Sequence, residues 1–303
     1  SLLHILRGEY AEGWRLYEWR FQMNPPPAVL RDYPVPRLLG QPVDGRTILI
    51  YPEQGLGDQI QFARYAMVLA DQGAKVLLEV RAPLKSILKN MDSRIHVFAE
   101  GEDLPSFDLH TPLMSLPMLL GTTTSTIPWS GAYLSPSEPA MPLDYHPSES
   151  GSPRVGLVWS GSRTHKNDQN RSIPLLSFQE LLRLPLDYLC LQKELRSEDA
   201  ECLAASDRIR FIGDQLEDFC ETARWIMTTD LVISVDTSVA HLAAALGKPV
   251  WILLPFMPDY RWMLYREDSP WYPTVTLFRQ DETRDWSLVI ERVGAALKKR
   301  YEL

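Results

Sequence analysis

Between residues 2 and 23 the apolar positions Leu2, Leu3, Leu6, Tyr10, Trp14 and Tyr17 recur mostly at helical intervals, as in an amphipathic helix or a short helical pair. Gly8 and Gly13 interrupt the pattern, and Pro25-Pro26-Pro27 ends it, because proline lacks an amide donor and restricts the residue before it. From residue 47 short apolar runs alternate with helical spacing. Runs at 47–51 (TILIY), 75–80 (KVLLEV) and 95–99 predict strands, 59–72 and 82–90 predict helices, and 108–120 mixes short apolar pieces with Pro112 and Pro117. The rhythm restarts with strands at 154–159 (RVGLVW), 187–192 (DYLCLQ), 209–212, 231–235 (LVISV) and 250–254 (VWILL). Helices are predicted at 176–184, 217–227 and 238–246, the last ended by Gly247, and a final amphipathic helix at 286–299. Strand–helix alternation of this kind implies parallel sheets.

The stretch 121–153 is rich in Thr, Ser, Pro and Gly and reads as an interdomain linker and loop region. The chain of 303 residues therefore divides into a helical segment at 1–24, an α/β domain with its linker at 25–150, and a second α/β domain at 151–303. The triple-proline break predicts that the helical segment is separable and that truncation near residue 24 leaves a soluble two-domain core.

Composition narrows the function classes. Apolar residues make up 45% and charged residues 23%, ordinary for a globular protein. The net charge is −8, from 31 basic and 39 acidic residues, so the chain lacks the basic footprint of a nucleic-acid binder. Cys190, Cys202 and Cys220 are odd in number and loosely spaced, which argues against a disulfide framework or a zinc site and fits buried thiols in a reducing cytoplasm. No apolar run reaches the roughly 18–20 residues of a membrane helix. The opening SLLHILRGEY has no signal-peptide pattern, and it lacks an initiator Met, as expected of a fragment.

Parallel α/β sheets bind ligands beyond the carboxyl ends of their strands, and four such corners stand out. The first, EQGLGDQ at 53–59, has neither the Lys-Ser/Thr of a Walker loop nor the third glycine of a dinucleotide fingerprint. Gly55 and Gly57 would permit a tight turn and close backbone approach. Asp58 is then either a helix cap or an exposed carboxylate able to act as a general base. The second, at 159–172, places Ser160, Gly161 and Ser162 ahead of Lys166 and Arg171, a diphosphate clamp or a solvated loop. The third, SVDTSVAHLAAALGKP, offers Asp236, Thr237 or Ser238 as a cap and a helix N-terminus as an anion site, with His241 one turn in. The fourth interleaves Arg261, Arg266 and Arg279 with Trp262, Trp271 and Tyr272, a pattern that packing alone can produce.

Taken in order, YPEQGLGDQIQFARY, RVGLVWSGSRTHKNDQNRSIP, LQKE, DFCETARWIMTTDLVISVDTSVAHLAAALGKPVWILLP and RWMLYREDSPWYPTVTLFRQ resemble the ADP-heptose:lipopolysaccharide heptosyltransferase superfamily, glycosyltransferase family 9-like, over nearly the whole chain. They resemble more closely the glycosyltransferase-like domain found behind tetratricopeptide (TPR) repeats in bacteria. GEYAEGWRLYEWRF resembles the terminal unit of such an array, which cannot bury its face alone, so repeats are expected upstream of residue 1. The resemblance implies a GT-B fold of two Rossmann-like αβα domains facing a cleft, with a closing C-terminal helix. The N-terminal domain would take the acceptor and the C-terminal domain the nucleotide-sugar donor. Asp58 matches the family's base, Lys166 its diphosphate-holding residue, and Asp236, Thr237, Ser238 and His241 its donor-facing helix start. Arg171 and the amides around Ser160–Ser162 would add to the clamp, and Gln192 and Lys193 fall where the family contacts the nucleoside. The implied reaction is inverting sugar transfer to a hydroxyl, with no cofactor and no metal. YPEQGLGD and DSPWYP depart from true heptosyltransferases and match the repeat-linked branch, which points to a protein acceptor such as flagellin or another surface protein. Two other readings stay open: a non-catalytic module that binds a nucleotide-sugar or a protein, and a nucleotide-sugar epimerase.

Overall fold

The computed structural model describes residues 1–303 except 130, 139–140, 143–144 and 148–150. Part of the linker expected at 121–153 therefore lies outside the described residues. The chain forms two compact units, one of Ser1–Ser137 with Asp259–Tyr265, the other of Glu138–Pro258 with Arg266–Leu303. The division at 137/138 falls within the stretch expected as linker, and the first unit reclaims a short segment from late in the chain.

The first unit is built on a parallel sheet of four strands, β1 (Thr47–Tyr51), β2 (Lys75–Val80), β3 (Ile95–Ala99) and β4 (Leu109–Pro112), in the order β3-β2-β1-β4. β1 lies between β2 and β4, and its Ile48, Leu49 and Ile50 are fully buried, which is why it reads as an unbroken apolar run. Helices Leu56–Phe62 and Arg64–Asp71 follow β1, covering the single helix expected at 59–72.

The N-terminal segment packs as part of the first unit, where the sequence reading expects a separable piece. Helices Leu2–Leu6 and Tyr10–Tyr17 form a pair, and a 3₁₀ turn follows at Glu18–Phe21. Gly8 has φ +82° and lies against Met263, and Gly13 packs on Ile5, so both breaks in the pattern are close approaches. Trp14 is 1% exposed and makes edge contacts with Tyr10, Tyr17, Phe62 and Tyr260 at 5.8–6.2 Å between ring centres. Arg20, 4% exposed, binds both Glu53 carboxylate oxygens at 2.8 Å and the Ser115 hydroxyl at 2.9 Å. The proline break marks the end of a helix, not the edge of a domain.

The second unit holds a parallel sheet of six strands: β5 (Arg154–Val158), β6 (Asp187–Cys190), β7 (Ile209–Phe211), β8 (Leu231–Val235), β9 (Val250–Leu254) and β10 (Val275–Arg279). Their order is β10-β9-β8-β5-β6-β7. Counted within the unit this is the Rossmann order, which reverses direction between β5 and β8. β10 and helix Ser197–Ala204 are absent from the sequence reading. β10 is an edge strand buried on alternate residues, and the helix, SEDAECLA, buries only Asp199 and Leu203. The C-terminal helix Trp286–Tyr301 is capped by Asp285, which accepts from the Ser287 amide at 2.8 Å, and packs Val289, Ile290, Val293 and Leu297 into the core.

Candidate functional site

Two corners hold the candidate site residues, one in each unit. In the second unit the loops leaving β5 and β8 emerge where the strand order reverses, the usual ligand position in such sheets. They meet at Arg171, which donates to the Asp236 carbonyl at 2.7 Å. The guanidinium lies over Gly161 so closely that a Cβ there would fall 2.4 Å from Nη2. Any side chain at 161 would therefore displace that guanidinium.

Only some of the expected clamp groups remain available. The Ser160 amide donates to Gln192 Oε1 at 3.0 Å, the Trp159 amide to the same oxygen at 2.6 Å, and the Gly161 amide to the Ser172 hydroxyl at 3.0 Å. The amides of Trp159, Ser160 and Gly161 are thus spent on neighbouring side chains, which corrects the assignment of those at 160 and 161 to the diphosphate. The Ser162 hydroxyl pairs with Thr164 at 2.9 Å. Lys166 is exposed on the same loop. Arg171 is also 3.7 Å from Asp168, which Arg196 holds from the other side.

After β8, Thr237 is the N-cap of helix Ser238–Ala245, in extended conformation and with no side-chain capping bond. Its hydroxyl pairs with Ser234 at 3.1 Å, so the first-turn amides keep their anion-binding character. His241 is 2% exposed; Nδ1 meets the Tyr272 hydroxyl at 3.0 Å and Nε2 lies 3.9 Å from Asp236. His241 is thus buried, hydrogen-bonded to Tyr272 and close to Asp236. Gly247, with φ +77°, ends the helix as the sequence indicates.

Gln192, assigned to the nucleoside, is 5% exposed, and its amide nitrogen also donates to Ser160 Oγ at 3.0 Å. It shapes the loop after β5. Lys193, its neighbour, is exposed and donates to the Glu217 carbonyl at 3.1 Å.

In the first unit, Asp58 sits in the first turn of helix Leu56–Phe62, just beyond β1. Its Oδ2 accepts from the Gly55 amide at 2.9 Å, and a Cβ on Gly55 would meet that oxygen at 3.1 Å. Gly55 has φ −66° and Gly57 is helical, so neither supplies the left-handed turn the sequence suggested. The glycine at 55 serves close approach. Oδ1 accepts from Arg261 Nη2, and Arg261 also pairs with Asp259 at 2.9 Å. Burial pushes the Asp58 carboxyl above the usual aspartate range; Arg261 pulls it back, and Asp259 adds to the rise. Sequence reasoning did not pair Arg261 with Asp58, because nothing local links positions so far apart.

The remaining candidates are structural. Arg266 pairs with Asp268 at 2.7 Å, and Trp271 and Tyr272 are buried. Burial pushes the Cys190 thiol up to about 12, so it stays protonated and inert. Among the described residues no group of three His, Cys, Asp or Glu is placed to hold a metal, and no helix is long and apolar enough to cross a membrane.

The sequence model of Glycosyltransferase family 9 (heptosyltransferase) matches residues 216–266. Protein FlbA of Caulobacter vibrioides is 26% identical over 318 residues, covering 96% of this chain and 53% of that protein. The chain thus spans about half the length of the curated relative it matches. The glycosyl transferase family 9 structure from Veillonella parvula superposes with TM-score 0.57 at 11% identity, over 86% of this chain and 91% of that one. E. coli heptosyltransferase WaaC with ADP-2-deoxy-2-fluoro heptose gives 0.55 at 14% identity, over 84% and 99%. The shared feature at these identities is the fold.

Proposed function

We propose that this chain, which has the GT-B fold of the heptosyltransferases, transfers a sugar from a nucleotide-sugar to a hydroxyl acceptor. The observation that carries this reading is the second-unit corner, where the largely buried Arg171 ties the loop after β5 to the uncapped helix start after β8 at the sheet's reversal point, with Lys166 exposed on the first of these loops. Such a corner suits a nucleoside diphosphate, and the E. coli WaaC structure holds a nucleotide-sugar of that kind, ADP-2-deoxy-2-fluoro heptose. Lys166, Arg171 and the amides after Thr237 would stabilise the charge that develops on the leaving diphosphate. In this proposal fixed cations do that work without a metal. Asp58 in the first unit would take the acceptor proton, giving displacement with inversion. The acceptor we propose is a protein hydroxyl, on the likeness of the N-terminal helices to the end of a TPR array.

The test is release of nucleoside diphosphate from a panel of nucleotide-sugars, with and without protein acceptors. Transfer predicts diphosphate release coupled to a mass increase on the acceptor. Binding without release would make the chain a recognition module, and conversion of the donor sugar without an acceptor would make it an epimerase. For ADP as probe, Lys166→Ala should weaken calorimetric affinity by roughly tenfold, the size of one charge-assisted contact, while the melting temperature holds. Unchanged affinity would remove Lys166 from the site.

A further inference from the structure

We propose that Arg261 is a positioning residue that holds the Asp58 carboxylate in one orientation at the carboxyl end of β1. This rests on reading Asp58 as the proton acceptor. A capping aspartate is satisfied by one helix-start amide, and the Gly55 amide already supplies it at 2.9 Å. The second oxygen goes to a guanidinium that is 8% exposed and bridges Asp58 to Asp259, with the Tyr260 hydroxyl 3.2 Å away. Burying a guanidinium is costly unless it is well paired, so the arrangement exceeds what a cap requires.

The route by which Arg261 arrives points the same way. It lies on Asp259–Tyr265, which packs with the first unit although the chain on both sides belongs to the second. The backbone turns through φ 56° at both Met263 and Tyr265, neither of them glycine. Tyr260 anchors the segment against Trp14 and Tyr17, with ring centres 6.2 and 6.4 Å apart. Two bonds to two different oxygens leave the carboxylate no free rotation, which is what a base needs to meet a hydroxyl at one angle.

The charged and titratable groups facing Asp58 are Arg261, Asp259, Tyr260 and Tyr17, with Glu53 and Arg20 beyond Tyr17. Arg261 is the cation that opposes burial and Asp259. Removing it leaves only backbone amide hydrogen bonds, such as that from Gly55, to oppose both upward influences.

The experiment follows the Asp58 carboxyl carbon by NMR through a pH titration of ¹³C-aspartate-labelled protein, assigned by its loss in Asp58→Asn. In wild type it should titrate above the ordinary aspartate range, and in Arg261→Met higher still. Arg261→Lys keeps the charge but not the fork, so its midpoint should fall between the two; it also serves should the methionine variant fail to fold. Identical midpoints in wild type and a folded Arg261 variant would overturn the proposal. A shifted midpoint in a protein whose transfer survives Asp58→Asn would instead remove the base assignment, and with it the positioning role, while leaving the ion pair in place.

Discussion

Asp58→Asn should lower sugar transfer by roughly 10²–10⁴-fold, the usual contribution of a positioned general base. The asparagine keeps the size of the side chain and an oxygen for the Gly55 amide, and Asn caps nearly as well as Asp. Arg261 loses one carboxylate but keeps Asp259 at 2.9 Å, so stability should fall by only about 1–3 kcal/mol. ADP affinity should be unchanged, because the proposed diphosphate groups belong to the other unit. The pH dependence has a definite sign. Asp58 binds its proton more tightly in the fold than in the unfolded chain, so its protonation adds stability at pH values below the folded pKa, and that contribution is lost as pH rises through it. Transfer needs the ionised form and should run the opposite way, falling as pH drops through the same value. Stability curves of wild type and Asp58→Asn, beside pH–rate profiles, check both. An Asp58→Asn protein with full transfer rate would leave the carboxylate as a cap alone.

Trp14→Ala should destabilise the first unit by about 3–5 kcal/mol, the range for emptying a buried aromatic site. That corresponds to a fall in melting temperature of the order of 10 °C. The side chain contacts Tyr260 on the segment that carries Arg261, so the loss should also loosen the Asp58 corner. Deleting residues 1–24 should be worse. It removes Trp14 and also Arg20, leaving Glu53 buried without the cation that binds both its oxygens. Calorimetric scanning decides the matter: a truncated protein that still melts in two native-like transitions would show that the helical segment is an accessory.

The parts of this fold that were legible in the sequence are those fixed by local physics. β1, β8 and β9 are central strands buried on both faces, so TILIY, LVISV and VWILL read as unbroken apolar runs. Gly247 was legible because a left-handed residue after a helix selects glycine. β10 was not, since an edge strand with alternate burial beside Pro273 gives a weak signal. The candidate site divides in the same way. Strand ends located Asp58, Lys166 and Thr237, because topology places loops there. Gln192 was a ligand candidate only through the resemblance of LQKE to the family, yet its amide oxygen is consumed by the backbone of the neighbouring loop. The pairing of Asp58 with Arg261 depends on how the chain returns to the first unit, which no local pattern encodes.

The central claim is that the corner formed by the loops after β5 and β8 binds a nucleoside diphosphate. Thermal-shift measurement of wild type and Gly161→Val across nucleoside diphosphates and their sugars tests it most directly, since ligand binding raises apparent stability by mass action. A valine side chain there would push the Arg171 guanidinium out of its place over the loop. The account predicts that at least one nucleoside diphosphate raises the wild-type melting temperature and that the rise is lost in Gly161→Val. No rise with any ligand, or an equal rise in both proteins, would contradict it.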